Sequence, residues 1–484
     1  MRLSIHVLLR STCLLALATV AAVAAKAAEP IDVSVWRTTA DLSKRLTAEA
    51  PLRMAESEPQ GAVIEVDASL RFQKLLGLGS SLEATTCSNL WRMTPRERGR
   101  VLDALVDPDR GIGMNLMRIC IGSSDFTGDP WYSYDDLPAG ETDPGMQRFS
   151  IAKDRRYILP VVKEARKKNA KLLFFASPWS PPAWMKSGGV LTGGSLLPQH
   201  YAAYALYLAR FIEAYRDEGI PLYAITVQNE PGVDRAKAKD PKWRYPSCRW
   251  TREQERDFIR DHLGPLLRYR GLATRIWCYD HNYNVEATDE DPGIGHPRLI
   301  LSDPRAATFV DGVGFHEYQG QPEGMTQFHR EFPSTPIHFT EGSVFGVGGA
   351  AELVARLRNW ASSYNAWVSM LDEQGRPNNG PFPATSAIVR LHSENLRAEY
   401  LLEYYAYGHF MKFLQRGAVR VSSEGPVRGL SHVAFRNPDG NVVFVAVNPG
   451  KDAVRFSVRT NRRTTPVAMP PESLVTLRWR ESKP

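Results

Sequence analysis

The sequence predicts an α/β fold: a (β/α)8 TIM barrel with an appended β-sandwich domain. Three observations lead there. Between residues 72 and 412, eight short apolar runs of strand type alternate with patterns of helical period. Beyond Tyr405 that alternation stops, and short strands separated by turn residues replace it. Two of the eight runs end in a glutamate followed at once by a breaker, Glu230 by Pro231 and Glu341 by Gly342. That is where a barrel presents its chemically active rim.

The chain opens with a different signal. Arg2 and Arg10 precede the apolar run 13–18, and Ala25-Lys26-Ala27 has the small-x-small spacing of a cleavage site. Residues 1–28 are therefore expected to be a secretory signal peptide, and the mature protein to be secreted or periplasmic. No later stretch is long and apolar enough to span a bilayer, so no integral membrane segment is expected after cleavage. Residues 31–36 alternate like a half-buried strand, and 62–66 form a second strand candidate. These N-terminal strands, in 29–71, precede any helical alternation and are assigned to the sandwich.

The eight barrel strands are expected at 75–79, 114–120, 171–176, 222–227, 274–279, 310–315, 337–340 and 366–371. Helices are expected at 96–105, opened by Pro95 with Thr94 as N-cap, and at 158–168, 201–218, 253–269 and 351–362. After the barrel, strands are expected at 420–422, 432–435, 442–447, 453–456 and 473–477. Asn437-Pro438-Asp439-Gly440 is a turn, since Pro fixes φ and Gly supplies a positive φ. The predicted organisation is a signal peptide at 1–28, sandwich strands at 29–71, a catalytic barrel at 72–412 and a C-terminal sandwich at 413–484.

Composition narrows the function. With 43% hydrophobic and 23% charged residues among 484, the chain is of ordinary globular type. The formal charge of +7 includes Arg2, Arg10 and Lys26 of the signal. The basic stretch 235–242 is broken by Asp240, follows Asp234 and lacks an aromatic nucleic-acid motif, so no nucleic acid partner is expected. Once Cys13 leaves with the signal, Cys87, Cys120, Cys248 and Cys278 remain, none with metal-type spacing. Cys120 and Cys278 end apolar runs and read as buried thiols. His316, His338 and His392 show no ligand spacing of the H-x-x-x-H kind, so no metal and no cofactor is expected.

Glu230 and Glu341 close the fourth and seventh strands. Two carboxyl groups facing each other across a cleft are what glycoside hydrolysis requires, one to protonate the leaving oxygen and one to attack the anomeric carbon or activate water. The proton donor has to hold its proton near neutrality. A raised pKa is therefore expected for Glu230, with the charge of Glu341 as one cause.

Asn229-Glu230-Pro231 and Thr340-Glu341-Gly342 resemble the acid/base and nucleophile motifs of glycoside hydrolase family 30, the group that includes glucosylceramidases and β-1,6-glucanases. Residues 112–118, 123–126, 177–186 and 253–259 are similar to segments of that family in the same order. The resemblance implies that Glu230 is the general acid/base and Glu341 the nucleophile of a retaining double displacement. It also implies substrate-binding roles for Asp125, Trp179, Asn229, His316, Tyr318 and Trp367. The implied substrate is a β-linked glycoside, glycolipid or oligosaccharide. Arg118, inside a strand, reads as a residue that orients a carboxylate, and Tyr245 as a lining residue of the aglycone side.

The sequence departs from the glucosylceramidase branch at Glu317, where that branch has tryptophan, and at Val368, where it has an amide residue. An outward salt bridge is the expected role of Glu317. The leading expectation is a secreted retaining β-glycosidase cutting β-glucosidic bonds. A β-xylosidase, β-fucosidase or endo-β-1,6-glucanase is the alternative within the family, and a non-catalytic carbohydrate-binding protein the alternative outside it.

Overall fold

The computed structural model describes residues 29–343, 345–380 and 387–480, so the expected signal peptide lies outside the described residues. Eight parallel strands form one sheet: β1 (Gly77–Gly79), β2 (Leu116–Ile121), β3 (Leu173–Pro178), β4 (Leu222–Thr226), β5 (Arg275–Asn282), β6 (Gly312–His316), β7 (Ile337–Glu341) and β8 (Ala361–Asn365). From β2 to β8 each pairs with its sequence neighbour, and β8 pairs with β1. Closure between β1 and β2 comes from backbone bonds Asn115 N to Leu78 O (2.9 Å) and Arg118 N to Ser80 O (2.9 Å). The closing strand has to be glycine-rich, because a Cβ on Gly79 would lie 1.9 Å from the Leu116 carbonyl oxygen.

Helices cover the barrel as the periodicity predicts in most places. Thr94 Oγ1 accepts from Glu97 N at the start of Pro95–Val106, and Ile158–Lys168, Tyr201–Asp217 and the run from Arg252 to Tyr269 follow. Helices Gly295–Ser302, Pro304–Ala307 and Glu323–Glu331 were not expected from the pattern.

The eighth strand corrects the sequence reading. It runs over Ala361–Asn365 instead of 366–371, and the helix before it stops at Arg358. Its composition hid it. Ser363 Oγ lies 3.0 Å from His338 Nδ1, and Asn365 Nδ2 donates to Leu116 O (2.8 Å), so this strand faces a polar part of the barrel interior. The apolar run that follows splits in two: Trp367 turns toward the strand ends, and Met370–Asp372 joins a small sheet with Val389–His392 and Arg397–Tyr400.

A nine-stranded sheet holds both ends of the described chain. Ile31–Thr39 pairs antiparallel with Ser473–Arg480, and Ala62–Lys74 lies between Val419–Glu424 and Val454–Thr460. Its edges meet at an isolated bridge between Ala55 and Thr464, so the sheet folds over its own core of Val35, Ile64, Phe444, Phe456, Val458 and Leu477. Strand Asn441–Asn448 is apolar between its terminal asparagines because both faces are buried: Phe444 and Ala446 face the sandwich, while Val443, Val445 and Val447 join the barrel core. At the turn before it, Gly440 has φ +86° and its N–H donates to Asn437 O (2.9 Å). The four cysteines Cys87, Cys120, Cys248 and Cys278 are free thiols. Among the described residues, no helix is long and apolar enough to cross a membrane.

Candidate functional site

The C-terminal ends of the barrel strands surround a cavity of about 370 Å3. Asp125, Trp179, Asn229, Glu230, Tyr318, Glu341 and Trp367 all line it, and His316 lies behind the two glutamates. The structure therefore gathers every candidate residue of the sequence analysis around one space.

The base of the site is one buried arginine. Arg118 points from β2 into the barrel, fully excluded from solvent. Its guanidinium donates to Glu341 Oε2, to Asp280 Oδ2 (2.9 Å), to Asn229 Oδ1 (2.8 Å) and to Ser177 Oγ (3.2 Å). Only a planar fork of five donors can serve partners from β3, β5, β7 and the end of β4 at once. Above it Trp179 and Trp367 stack with ring centroids 5.1 Å apart, and the Arg118 Cζ lies 4.9 and 5.4 Å from their centroids.

Glu341 is held at both oxygens, by Arg118 at Oε2 and by the Tyr318 hydroxyl at Oε1 (2.7 Å). A carboxylate so restrained is oriented before any ligand arrives. Glu230 sits just past β4 with φ +50°, a conformation few non-glycine residues adopt, and its N–H donates to Asp280 O (3.0 Å). His316 Nδ1 stands between the two glutamates, 3.6 Å from Glu230 Oε1 and 4.0 Å from Glu341 Oε1. The pair that lies far apart in sequence is thus joined across one ring.

Two residues absent from the sequence analysis complete the arrangement. Strand β5 was expected to end at Tyr279, yet it continues to Asn282 through an irregularity in its pairing with β6, with φ +75° at Tyr279 and +59° at Asp280. Such a bulge re-aims side chains. Asp280 turns into the barrel, where it accepts from Arg118, His316 Nε2 (3.0 Å), Thr226 Oγ1 (2.7 Å) and Thr340 Oγ1 (2.5 Å). His281 lines the cavity beside Glu230. The available signal was the polar run Asp280-His281-Asn282 at the tip of an apolar strand.

The charges differ from expectation in one respect. Burial pushes Glu230 up, but His316, His281 and Arg235 outweigh it and hold the carboxyl at about 2. For His316, burial pulls the imidazole down, while the charge of Glu341 and the proximity of Asp280 and Glu230 raise it to about 10. The raised pKa expected of Glu230 is therefore not found in this arrangement: its neighbours are more cationic than the sequence suggested, and the proton rests on His316. Asp125 lies well above the usual carboxylate range, first through burial and then through Glu341 and Glu230. Asp125 Oδ1 and Trp367 Nε1 are buried without hydrogen-bond partners.

Glu317 pairs, but not outward. It forms an ion pair with the buried Arg356 and accepts from Ser343 N at Oε1 (2.6 Å). Ser343 Oγ in turn donates to Trp367 O (2.6 Å), and Trp367 N to Gly342 O (2.8 Å). A Cβ on Gly342 would come within 2.7 Å of the Glu317 carboxyl carbon. Glu317 therefore buttresses the turn that follows Glu341. At the mouth, Tyr245 accepts from Arg235 Nε (2.7 Å), and Trp243, Tyr318 and Phe345 are partly exposed. One group of potential metal donors, Glu230, His281 and His316, also stands here, drawn from three strand ends that no linear spacing would link.

The family model for the glycosyl hydrolase family 30 TIM-barrel domain matches residues 75–414, and that for the family 30 beta sandwich domain matches 417–477. An endo-1,6-beta-D-glucanase of Trichoderma harzianum, BGN16.3, is 30% identical over 401 residues, 78% of each chain. The lysosomal acid glucosylceramidase of Mus musculus is 28% identical over 431 residues, 82% of this chain and 79% of that one. Among solved structures, the endo-beta1,6-glucanase BT3312 superposes with a TM-score of 0.83 at 28% identity, covering 93% of this chain and all of that one.

Proposed function

The chain belongs to glycosyl hydrolase family 30, and on that premise we propose that it is an exported retaining β-glycosidase acting on β-glucosidic bonds, with Glu341 as nucleophile and Glu230 as general acid/base. The observation that carries this reading is the shared ring: both carboxyl groups stand within 4.0 Å of His316 Nδ1 in one cavity walled by stacked indoles. Glu341, fixed by Arg118 and Tyr318, attacks the anomeric carbon. Glu230 protonates the departing oxygen and then activates water. In the resting site the proton is held on His316. It passes to Glu230 as the bound sugar excludes water and raises the cost of a second carboxylate beside Glu341.

Binding of the sugar is supported by what the cavity lacks. Asp125 and Trp367 offer buried polar atoms without partners, the groups that sugar hydroxyls satisfy, and Trp179 offers an apolar face. Asn229, bonded to Arg118, lies beside Glu230 where it holds a further hydroxyl. Similarity in sequence and fold favours a β-1,6-glucan as the substrate over a glucosylceramide-like lipid: the Trichoderma harzianum endo-1,6-glucanase is 30% identical against 28% for the mouse glucosylceramidase, and the solved structure that superposes with a TM-score of 0.83 is also an endo-1,6-glucanase.

The test is hydrolysis of aryl β-glycosides, a β-1,6-glucan and glucosylceramide by the mature chain, with the anomeric configuration of the first product read by proton NMR. Retention is expected. Glu341→Gln should abolish turnover, and Glu230→Gln should spare the first step for good leaving groups only. Inversion, or wild-type rates in both variants, would overturn the assignment.

A further inference from the structure

The two histidines beside Glu230 share a feature that sugar hydrolysis does not require. His281 Nε2 lies 2.8 Å from the Glu290 carbonyl oxygen, which can only accept, so Nε2 carries a hydrogen and Nδ1 is the nitrogen left to face a ligand. His316 Nε2 likewise donates to Asp280 Oδ1 (3.0 Å). The Nδ1 atoms of both rings are buried and have no hydrogen-bond partner, and the residues themselves are 2% and 0% exposed. Both belong to a group in which one donor atom each from Glu230, His281 and His316 lies within 4.8 Å of the others.

Imidazoles whose second nitrogen is tied to a carbonyl or carboxylate are the pre-oriented ligands of transition-metal sites. A tetrahedral ion with bonds of about 2.1 Å sets its donors roughly 3.4 Å apart, and His316 Nδ1 already stands 3.6 Å from Glu230 Oε1. The donor set of two imidazoles and one carboxylate suits Zn2+ or Co2+ and not the oxygen-seeking Mg2+ or Ca2+. Glu341 adds negative charge nearby, while the cavity leaves a fourth position open to water.

We infer that Glu230, His281 and His316 form a binding site for one divalent transition-metal ion of the Zn2+ class. On arrival the ion bonds to His316 Nδ1 in place of the proton held there, which leaves to solvent, and no electron transfer is involved. Resting on the function proposed above, the consequence is reversible inhibition, because a metal-bound Glu230 can neither receive nor donate a proton.

The experiment titrates Co2+ into the mature chain and follows visible absorption, with Zn2+ competition by calorimetry. The expected result is one tetrahedral Co2+ per chain, displaced by Zn2+, with affinity at least about tenfold weaker in His281→Phe. X-ray absorption of the Co2+-loaded wild type should show two imidazoles, a readout independent of how any variant folds. No stoichiometric Co2+ binding, a spectrum without imidazole, or undiminished affinity in a folded His281→Phe would each overturn the site. Stoichiometric Co2+ binding that leaves glycoside hydrolysis unaffected would support the site and instead remove Glu230 from the proposed reaction.

Discussion

Replacing Arg118 with lysine separates charge from geometry at the base of the site. Lysine keeps the positive charge but carries it on one nitrogen: placed where Nη2 now serves both Asp280 and Asn229, it gives up the bonds that Nη1 makes to Glu341 and Nε to Ser177. The carboxylates are almost wholly excluded from solvent, with side-chain exposures of 0% for Asp280 and 5% for Glu341, so screening by water does not soften the loss. Two hydrogen bonds to charged groups at about 1.5–3 kcal/mol each give roughly 3–6 kcal/mol, divided between folding and transition-state stabilisation. The assay is urea unfolding followed by tryptophan fluorescence, beside kcat/KM on an aryl β-glucoside. We expect stability to fall by about 3 kcal/mol and kcat/KM to fall about 100-fold, the latter equivalent to about 2.7 kcal/mol. An Arg118→Lys protein within about 1 kcal/mol of wild type and within threefold in kcat/KM would refute the idea that the guanidinium fork pre-orients the carboxylates.

Two further predictions concern groups outside the reacting pair. Glu317→Ala should lower kcat with KM little changed and destabilise the fold by about 1–3 kcal/mol, because it leaves the buried Arg356 to the exposed Glu352 and frees the turn at Ser343; Glu317→Gln keeps an acceptor for Ser343 N and should lose markedly less activity. Equal effects of the two would mean that the hydrogen bond to Ser343 is idle. Buried His409, bonded to Thr38 and Thr476, has its pKa lowered by burial from 6.5 to about 3. The unfolded chain takes up its proton first, so stability is intact above pH 6.5 and declines as pH falls toward 3, by up to about 1.4 kcal/mol per unit. His409→Gln should flatten that slope, and an unchanged slope in thermal melts across pH 4–7 would count against it.

Legibility in the sequence followed burial. The central strands, Leu173–Pro178 and Leu222–Thr226 among them, are covered on both faces and so read as apolar runs. Ala361–Asn365 was hidden because its side chains tie strands together by polar bonds, which composition cannot tell from a loop. Thr47–Met54 and Arg463–Met469 escaped for another reason: they are the two edge strands of the nine-stranded sheet and carry Pro51 and Pro466, residues that count against a strand everywhere except at an edge. At the site, Glu230 and Glu341 stood out because a breaker follows each. Asp280 and His281 did not, since a bulge that carries a strand past its apolar stretch leaves no periodic trace.

The pairing of Ser34 with Arg478 has a consequence in time. The first strand of the described chain pairs at once with Thr47–Met54, but its other neighbour, Ser473–Arg480, stands at the far end of the described residues, whereas barrel strands β2 to β8 each meet the next after a short excursion. Closing so long a loop carries an entropic cost that grows only logarithmically with length, but the partner must exist before any of it is recovered. During synthesis the N-terminal strand pair therefore waits with one edge open, and a chain halted before Ser473 lacks the strand that joins that pair to Asn441–Asn448. The sandwich is thus the last part of the fold to close, however early its first strands emerge.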